Sequence, residues 1–427
     1  MLFTITKRKV KYLVMNCILV FCFYQLLLHI HIFFFQNNFN VIKPIVEDIA
    51  EKEVPTDSPG DYEFINKEDT YGTLENSAED VKFILLVTST TSHKYPFSLF
   101  SKDNSVFVEN DCNFTNCYIV YNKSHLNEES FDMIAFNLPE LDEIDIPEKR
   151  SPHQKYSFFS IESPQYNPVC VDMYDDFFNW TFTYKLTSDA RLWFFDIYNV
   201  NETKIGPPVN VWPTFDPIDD DIKMMLDGKT KIAAWFVSKC NTRSGREKIA
   251  QQLDKELKYR YGWSIDIYGH CGKFACPRRY AEICNKKIEE DYFFYLAFEN
   301  SFADDYVTEK VLLAVNNYAV PIVFGGANYS RFLPPDSYLN IKELGVSEVA
   351  RLMHKAYIHR EFYYDYFKWT NYLYYRHISR KSQVCKICSL LNDKVAMSTT
   401  TMYPDFRNWW NNEGWDNECP FTQEFFN

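Results

Sequence analysis

Residues 292–341 read YFFYLAFENSFADDYVTEKVLLAVNNYAVPIVFGGANYSRFLPPDSYLNI. Two apolar runs of strand length within this stretch, 293–298 and 318–324, are typical of parallel strands that are covered on both faces. Between the runs, apolar residues recur at intervals of three and four, which predicts a helix with one buried stripe. Asp304 or Asp305 is the expected N-cap of this helix. The stretch is therefore predicted to form a β-α-β unit of an α/β fold.

The loops that follow the two strands, 299–305 and 325–329, are the expected ligand site, because ligands of open parallel sheets bind beyond the carboxyl ends of the strands. The second loop begins with Gly325 and Gly326, which would let backbone amides approach an anion with no side chain in the way. A turn that binds nothing is the alternative interpretation of this glycine pair.

Tyr306, Glu309 and Lys310 are spaced so that they lie side by side in the first turns of the predicted helix. The positive end of a helix together with a lysine suits a diphosphate, and a carboxylate suits sugar hydroxyls. A solvated helix face is the alternative for this trio. Taken with the two loops, the combination predicts a site for a nucleotide sugar.

Four segments in this region carry a resemblance to a known family: FYLAFENS, DYVTEK, VPIVFGGANY and PPDSYLNI. In this order and spacing they resemble the signature of the α1,3-fucosyltransferase family, and a weaker similarity extends from about Ser157 to the C-terminus. The resemblance implies a GT-B architecture, in which two Rossmann-like domains face a cleft. It also implies the transfer of L-fucose from GDP-fucose, with inversion, to the 3-hydroxyl of N-acetylglucosamine in a glycoprotein or glycolipid glycan.

The resemblance gives roles to individual residues. Glu162 lies in a Glu-Ser-Pro segment that matches the segment of the family's proposed base, so it is the candidate for deprotonating the acceptor hydroxyl. Glu309 is the second candidate catalytic carboxylate and is expected to hold ribose or fucose hydroxyls. Asn300 and Tyr306 are expected to position the donor.

The diphosphate of the donor is expected to bind to cations and backbone amides, which stabilise the charge of the leaving group. The family has a diphosphate-binding arginine near a helix start, for which Arg246 is the first choice and Arg243 the second. The other expected diphosphate-binding residues are Lys310, Gly325 and Gly326.

Two lysines depart from the family pattern. Lys185 stands where arginine is usual, and lysine lacks the planar fork needed for a bidentate contact. Lys239 replaces the usual asparagine, so that contact is not carried over. Three neighbours of Lys185 are expected either to line the cleft or to shape it: Tyr184, Ser188 and Asp189.

Two other functions remain open at this stage. One is a catalytically silent, glycan-binding membrane glycoprotein that has kept the fold, and the other is a GDP-sugar transferase of another linkage. No tightly bound cofactor and no metal ligand is expected, and stimulation by Mn²⁺ or Mg²⁺ is left open. The expected partners are GDP-fucose and a glycan acceptor of undecided type, with homodimer formation as an open alternative.

The composition limits the classes of partner. The 427-residue chain has 45 basic and 58 acidic residues, a net charge of −13. This charge repels nucleic acid and acidic lipid at long range, so nucleic acid is not an expected partner and an anionic ligand needs a local basic pocket. A hydrophobic content of 46% is typical of a globular chain, and the length favours two domains.

The N-terminal region predicts a membrane anchor. Residues 12–35 carry no charge at neutral pH, follow the basic cytosolic tail 1–11, and are long enough to cross a bilayer as an uncleaved signal-anchor. Residues 36–80 have the polar composition of a solvated stem. The prediction is a single-pass type II protein of the Golgi membrane with its catalytic part in the lumen.

Beyond the stem, three parts are predicted: an N-terminal α/β acceptor domain over 81–225, a C-terminal GDP-fucose-binding domain over 226–384, and a disulfide-tethered tail over 385–427. Buried strands are expected at 81–88, 117–121, 131–136, 156–161, 231–237 and 263–268. The aromatic segment 346–375 has a helical pattern.

Ten of the twelve cysteines follow the predicted anchor, and structural disulfides are expected among them in the oxidising lumen. Five Asn-X-Ser/Thr sequons agree with this location. They begin at Asn113, Asn122, Asn179, Asn201 and Asn328. A glycan on the last of these would obstruct the predicted substrate loop.

Overall fold

The computed structural model describes residues 81–87, 95–143, 146–411 and 419. All described residues belong to one compact unit. The predicted cytosolic tail, membrane anchor and stem lie outside the described residues. Within the described ranges, no helix is long and apolar enough to cross a membrane.

The first sheet consists of six strands: β1 (Lys82–Val87), β2 (Cys117–Val120), β3 (Met133–Asn137), β4 (Lys155–Phe159), β5 (Trp180–Thr183) and β6 (Ala190–Arg191). They are all parallel, in the order β2-β1-β3-β4-β5-β6. Every residue of β3, β4 and β5 is buried, as expected for strands covered on both faces. The four strands predicted in this region are confirmed to within two or three residues at their ends.

The second sheet has five parallel strands: β9 (Lys231–Phe236), β10 (Asp266–Tyr268), β11 (Tyr292–Phe298), β12 (Val320–Phe324) and β13 (Leu339–Asn340). Their order is β10-β9-β11-β12-β13. All residues of β11 and β12 are buried. The β-α-β unit predicted from residues 292–341 is therefore confirmed, with β11 and β12 paired side by side.

The third sheet is small and antiparallel: β7 (Phe195–Asn199), β8 (Lys204–Gly206) and β14 (Leu373–His377), in the order β14-β7-β8. β14 corrects the helical prediction for 346–375, which is helical only up to Asn371. Aromatic residues are enriched in strands, and this strand is formed by pairing with β7, in which Tyr374 stacks on Tyr198 at 5.6 Å between ring centroids.

Helices cover the sheets and connect their strands. The α-helices are α1 (Ser105–Glu109), α2 (Asp220–Asp227), α3 (Arg246–Tyr261), α4 (Ala281–Asp291), α5 (Glu309–Asn316), α6 (Ile341–Leu344), α7 (Val346–Ile358), α8 (Arg360–Tyr364), α9 (Arg380–Leu391), α10 (Lys394–Ser398) and α11 (Phe406–Asn411). Short 3₁₀ helices lie at Phe97–Leu99, Lys123–His125, Glu128–Ser130, Leu138–Glu143, Asp172–Tyr174, Arg278–Tyr280, Tyr329–Arg331 and Asp365–Asn371. Most helices that connect the strands of the first sheet are short 3₁₀ helices. They are too short to show a helical pattern of apolar residues in the sequence.

Five disulfides join the ten cysteines that follow the predicted anchor, which confirms the expectation of structural disulfides. They are Cys112–Cys385, Cys117–Cys388, Cys170–Cys419, Cys240–Cys271 and Cys276–Cys284. The first two attach α9 to β2 and to the loop before it, so the C-terminal region is held against the first sheet.

Candidate active site

A cleft of about 850 Å³ lies between segments that follow the strands of the first and second sheets. Its lining includes six of the predicted site residues, which are Glu162, Arg246, Asn300, Tyr306, Glu309 and Lys310. A separate cavity of about 680 Å³ beside β13 contains none of them. The structure therefore brings the expected acceptor-side carboxylate and most of the expected donor-binding residues to one place.

Lys310 is held between two carboxylates at the wall of the cleft. Its Nζ lies 3.0 Å from Oε2 of Glu299 and 3.2 Å from Oε1 of Glu309. The Glu299 side chain is 0% exposed, whereas that of Glu309 is 56% exposed. Burial alone would lower the pKa of Lys310, but the charges of the two glutamates raise it above its ordinary value. The ammonium group is therefore a permanent cation of the cleft.

Glu309 presents a carboxylate to the cleft. Desolvation acts to raise the pKa of Glu309, but the charge of Lys310 and hydrogen bonds from Lys310 and Thr308 outweigh it, so the pKa lies below its ordinary value. An ionised, partly exposed carboxylate at this position has free acceptor capacity for hydroxyl groups.

Helix α5 begins later than the sequence predicted. Thr308, not Asp304 or Asp305, is its N-cap, and Tyr306 precedes the helix. Oε1 of the buried Glu299 accepts hydrogen bonds from the Thr308 backbone N–H and hydroxyl group, both at 2.9 Å. The predicted N-cap is therefore corrected to Thr308, and the binding of a diphosphate at this helix end stays a prediction.

Tyr306 connects this region to Glu162. Its hydroxyl donates to Oε2 of Glu162 at 3.5 Å, and its ring packs edge-on against Tyr184 at 4.8 Å between centroids. Burial raises the pKa of Tyr306 well above its ordinary value, and the charge of Glu162 adds to the effect. The phenol therefore stays protonated and donates to the carboxylate.

Arg246 and Asn300 line the cleft, and each has one buried side-chain atom that forms no hydrogen bond with the described part of the chain. The Arg246 guanidinium donates through Nη1 to the Phe298 carbonyl at 2.7 Å and through Nη2 to the Lys239 carbonyl at 3.2 Å. Its Nε and the Asn300 Oδ1 are buried and have no hydrogen-bond partner among the described residues. The two residues therefore bring a guanidinium group and an amide to the lining of the cleft.

Arg243 does not line the cleft, which corrects its assignment to the diphosphate. Its guanidinium donates to the Gln165 carbonyl, and its backbone N–H donates to the hydroxyl of Tyr166 at 3.3 Å. Arg243 lies in the loop between β9 and α3, whereas Gln165 and Tyr166 follow β4 of the first sheet. The residue therefore connects the two halves of the molecule.

Gly325 and Gly326 are also outside the cleft lining. A Cβ on Gly325 would lie 2.5 Å from the Tyr329 hydroxyl, and one on Gly326 would lie 2.7 Å from the Ala303 backbone nitrogen. Both positions need glycine because another part of the chain approaches closely. Both glycines thus have a packing role, and their predicted contact with an anion stays a prediction.

Lys185 points away from the cleft lining, toward the C-terminal segment. Its Nζ donates to the Trp409 carbonyl at 2.5 Å, and burial lowers its pKa to about 8, although Asp304 and Asp305 act to raise it. Ser188 and Asp189 bond within the first sheet's own loops, to Thr183 and Thr181. These residues shape the fold instead of lining the cleft.

Four of the five sequons have exposed asparagines: Asn113, Asn122, Asn201 and Asn328. The last does not line the cleft. Asn179 is only 9% exposed, and its side chain bonds to the Tyr156 N–H and the Thr401 carbonyl. The prediction of a glycan on Asn179 is corrected, because in this fold the side chain is not accessible to a glycan.

Glu299 is the main functional residue that sequence reasoning missed. It follows a fully buried strand and is itself fully buried, a position in which an unpaired carboxylate would be costly. Its place directly after the apolar run was a usable signal, since a charge there requires a cationic partner. Within the described residues, no group of three or more His, Cys, Asp or Glu side chains is arranged to hold a metal ion.

Comparisons with known proteins agree with this geometry. The profile described as fucosyltransferase, N-terminal, matches residues 79–194, and the profile described as glycosyltransferase family 10 (fucosyltransferase), C-term, matches residues 226–409. These matches identify a glycosyltransferase. The chain belongs to glycosyltransferase family 10, the fucosyltransferases.

Individual relatives are similar over much of the chain. Alpha-(1,3)-fucosyltransferase C of Drosophila melanogaster is 37% identical over 292 residues, 66% of each chain. Glycoprotein 3-alpha-L-fucosyltransferase A of the same species is 32% identical, over 56% of this chain and 44% of the relative. The human 4-galactosyl-N-acetylglucosaminide 3-alpha-L-fucosyltransferase FUT5 is 31% identical, over 68% and 70%. The match therefore spans two thirds or less of the first two relatives.

Among solved structures, an α1,3-fucosyltransferase with GDP-fucose has a TM-score of 0.46 and 15% identity to this chain. The match covers 78% of this chain and 96% of that one.

Proposed function

We propose that the protein is an inverting α1,3-fucosyltransferase that moves L-fucose from GDP-fucose to the 3-hydroxyl of N-acetylglucosamine in a glycan. The observation that carries the proposal is the composition of one cleft. A carboxylate, Glu162, lines it together with a fixed cation, Lys310. Arg246 and Asn300 belong to the same lining.

The donor side is suited to an anionic leaving group. As the bond between fucose C1 and the phosphate oxygen breaks, negative charge grows on the diphosphate. Lys310 and Arg246 stabilise that charge more in the transition state than in the ground state, which is what accelerates the reaction. Glu309, ionised and partly exposed, accepts hydrogen bonds from hydroxyl groups of the donor.

The acceptor side needs one base. Glu162 takes the proton of the acceptor hydroxyl while the acceptor oxygen bonds to fucose C1, and GDP leaves from the opposite face with inversion at that carbon. The hydrogen bond from Tyr306 keeps the Glu162 carboxylate in one orientation. A single acceptor-side carboxylate is sufficient for this chemistry, and the charges on the donor side are supplied by the chain itself.

The same proposal includes the GT-B type for the two-sheet architecture and an N-terminal anchor, residues 12–35, in the Golgi membrane. Two facing parallel α/β sheets with a cleft between them support the first part. The uncharged run behind a basic tail supports the second.

The experiment that tests the proposal uses the full-length protein, purified in detergent, with GDP-fucose and a panel of defined glycans. The panel contains the core chitobiose of N-glycans, an N-acetyllactosamine antenna and its GalNAc-containing counterpart. The expected result is acceptor-dependent release of GDP and a product with an α1,3-linked fucose on N-acetylglucosamine by NMR. No release of GDP with any acceptor would instead favour a silent glycan-binding protein, and a different linkage would favour another GDP-sugar transferase.

A further inference from the structure

Lys239 lines the cleft, as Lys310 and Arg246 do, but its surroundings differ from theirs. It follows β9, and its side chain is exposed. Its Nζ lies 3.6 Å from the centroid of the Tyr166 ring, so the ammonium group rests on an aromatic face. Tyr166 follows Glu162 by four residues, in the segment after β4 of the first sheet. One contact therefore joins the donor side of the cleft to the segment that carries the acceptor-side carboxylate.

The charges of the other two cations are already used. Lys310 lies within 3.2 Å of two carboxylates. Arg246 donates to two backbone carbonyls, and its Nε is 3.6 Å from Oε1 of Glu247. No carboxylate within the described residues forms an ion pair with Lys239. Lys239 thus brings to the cleft a positive charge that no carboxylate in the described part of the chain balances.

We infer that Lys239 is a third diphosphate-binding cation of this protein, which rests on Tyr166 in this structure and moves to the phosphates when the donor binds. The inference rests on the proposed function, because it takes a nucleoside diphosphate as the ligand. A charge-assisted hydrogen bond to a phosphate oxygen is stronger than a cation–π contact at an exposed site, so the anion takes the lysine from the ring. Four rotatable bonds give the side chain the freedom to make the exchange.

The Tyr166 segment stays in place after Lys239 leaves the ring, because other contacts hold it. The Tyr166 hydroxyl donates to the Asn300 carbonyl at 3.3 Å. The Phe302 backbone N–H donates to Oε1 of Gln165 at 2.9 Å, and the Arg243 guanidinium holds the Gln165 carbonyl. Donor binding therefore changes one contact and leaves the position of the nearby acceptor-side carboxylate fixed.

The exchange has a measurable consequence for the ring. The free energy of the cation–π contact opposes donor binding, because the contact must be broken before the lysine reaches the phosphates. Replacing the ring by an aliphatic side chain removes that opposition. Tyr166→Leu and Tyr166→Phe both remove the hydroxyl, but only Tyr166→Phe keeps the aromatic face. Tyr166→Leu is therefore expected to bind GDP about two- to fivefold more tightly than Tyr166→Phe.

The test measures the affinity of the purified full-length protein for GDP and for guanosine by calorimetry. Lys239→Met keeps the aliphatic stem and removes the charge, so GDP is expected to bind about tenfold more weakly while guanosine binding is unchanged. Lys248→Met removes an exposed lysine of α3 outside the cleft and is the matched control, expected to leave both affinities unchanged.

The outcomes separate this inference from the proposed function. If the wild-type protein does not bind GDP, both are overturned. If it binds GDP and Lys239→Met binds GDP equally well, only the role of Lys239 is overturned. If Lys239→Met loses affinity for guanosine as much as for GDP, the lysine acts on the fold or on the base and not on the phosphates, and the inference is again overturned.

Discussion

Replacing Glu299 and Glu309 in turn should show whether burial or distance decides how much each ion pair with Lys310 stabilises the fold. The Nζ of Lys310 lies at nearly equal distances from Glu299 and Glu309, 3.0 and 3.2 Å, but the side chains are 0% and 56% exposed. Breaking a buried pair by removing one partner costs about 3 kcal/mol, whereas an exposed pair contributes about 1 kcal/mol or less. Glu299→Gln is therefore expected to be much more destabilising than Glu309→Gln.

The expected difference is large enough to measure by thermal unfolding of the full-length protein. At about 2 °C per kcal/mol, Glu299→Gln lowers the midpoint by about 6 °C and Glu309→Gln by about 2 °C at most. Glutamine at position 299 keeps an acceptor for the Thr308 N–H, so the difference reports the lost charge. Equal losses in the two variants, or a larger loss for Glu309→Gln, would refute the reasoning.

Three further predictions concern catalysis and packing. Glu309→Gln should lower kcat/KM for transfer about a hundredfold while leaving the unfolding midpoint nearly unchanged, because its carboxylate is partly exposed and faces the donor. Tyr306→Phe removes the hydroxyl that donates to Glu162 and should lower kcat about tenfold in initial-rate assays. Gly326→Ala puts a Cβ 2.7 Å from the Ala303 backbone nitrogen and should destabilise the protein by about 1–3 kcal/mol, measured by thermal unfolding.

The predictions for Tyr306→Phe and Gly326→Ala each have an internal control. Tyr184→Phe removes a buried hydroxyl that has no hydrogen-bond partner in the described structure, so it should leave kcat unchanged. Gly228→Ala adds a Cβ whose nearest neighbour is the Met225 carbonyl oxygen at 3.3 Å and should cost less stability than Gly326→Ala. A control that changes as much as its partner variant would contradict the structural reason given for that prediction.

The strands of the second sheet could be predicted from the sequence, but the exact start of the helix that follows β11 could not. Continuous apolar runs specify buried parallel strands, so β9, β11 and β12 were predictable. The start of α5 was not, because Asp304, Asp305 and Thr308 are all good N-caps and only the position of the Glu299 carboxylate, set by tertiary packing, selects the threonine.

Candidate site residues that lie on or beside predicted elements were found, whereas contacts between the two halves were not. Glu162, Asn300 and Lys310 follow strands or open a helix, so the fold alone brings them to the cleft. Arg243 and Gly325 fit the same pattern, but Arg243 reaches across to the first sheet and Gly325 packs against a tyrosine hydroxyl. No local pattern distinguishes a cation that faces a ligand from one that joins two parts of a protein.

The most direct test of the central claim, that one cleft binds GDP-fucose on one side and deprotonates the acceptor on the other, compares Glu162→Gln with the wild-type protein. Transfer from GDP-fucose to the best acceptor and the affinity for GDP are measured on the same preparations. The account predicts that Glu162→Gln binds GDP with wild-type affinity and transfers fucose at least about a hundredfold more slowly. A variant that transfers at a near wild-type rate would contradict the claim.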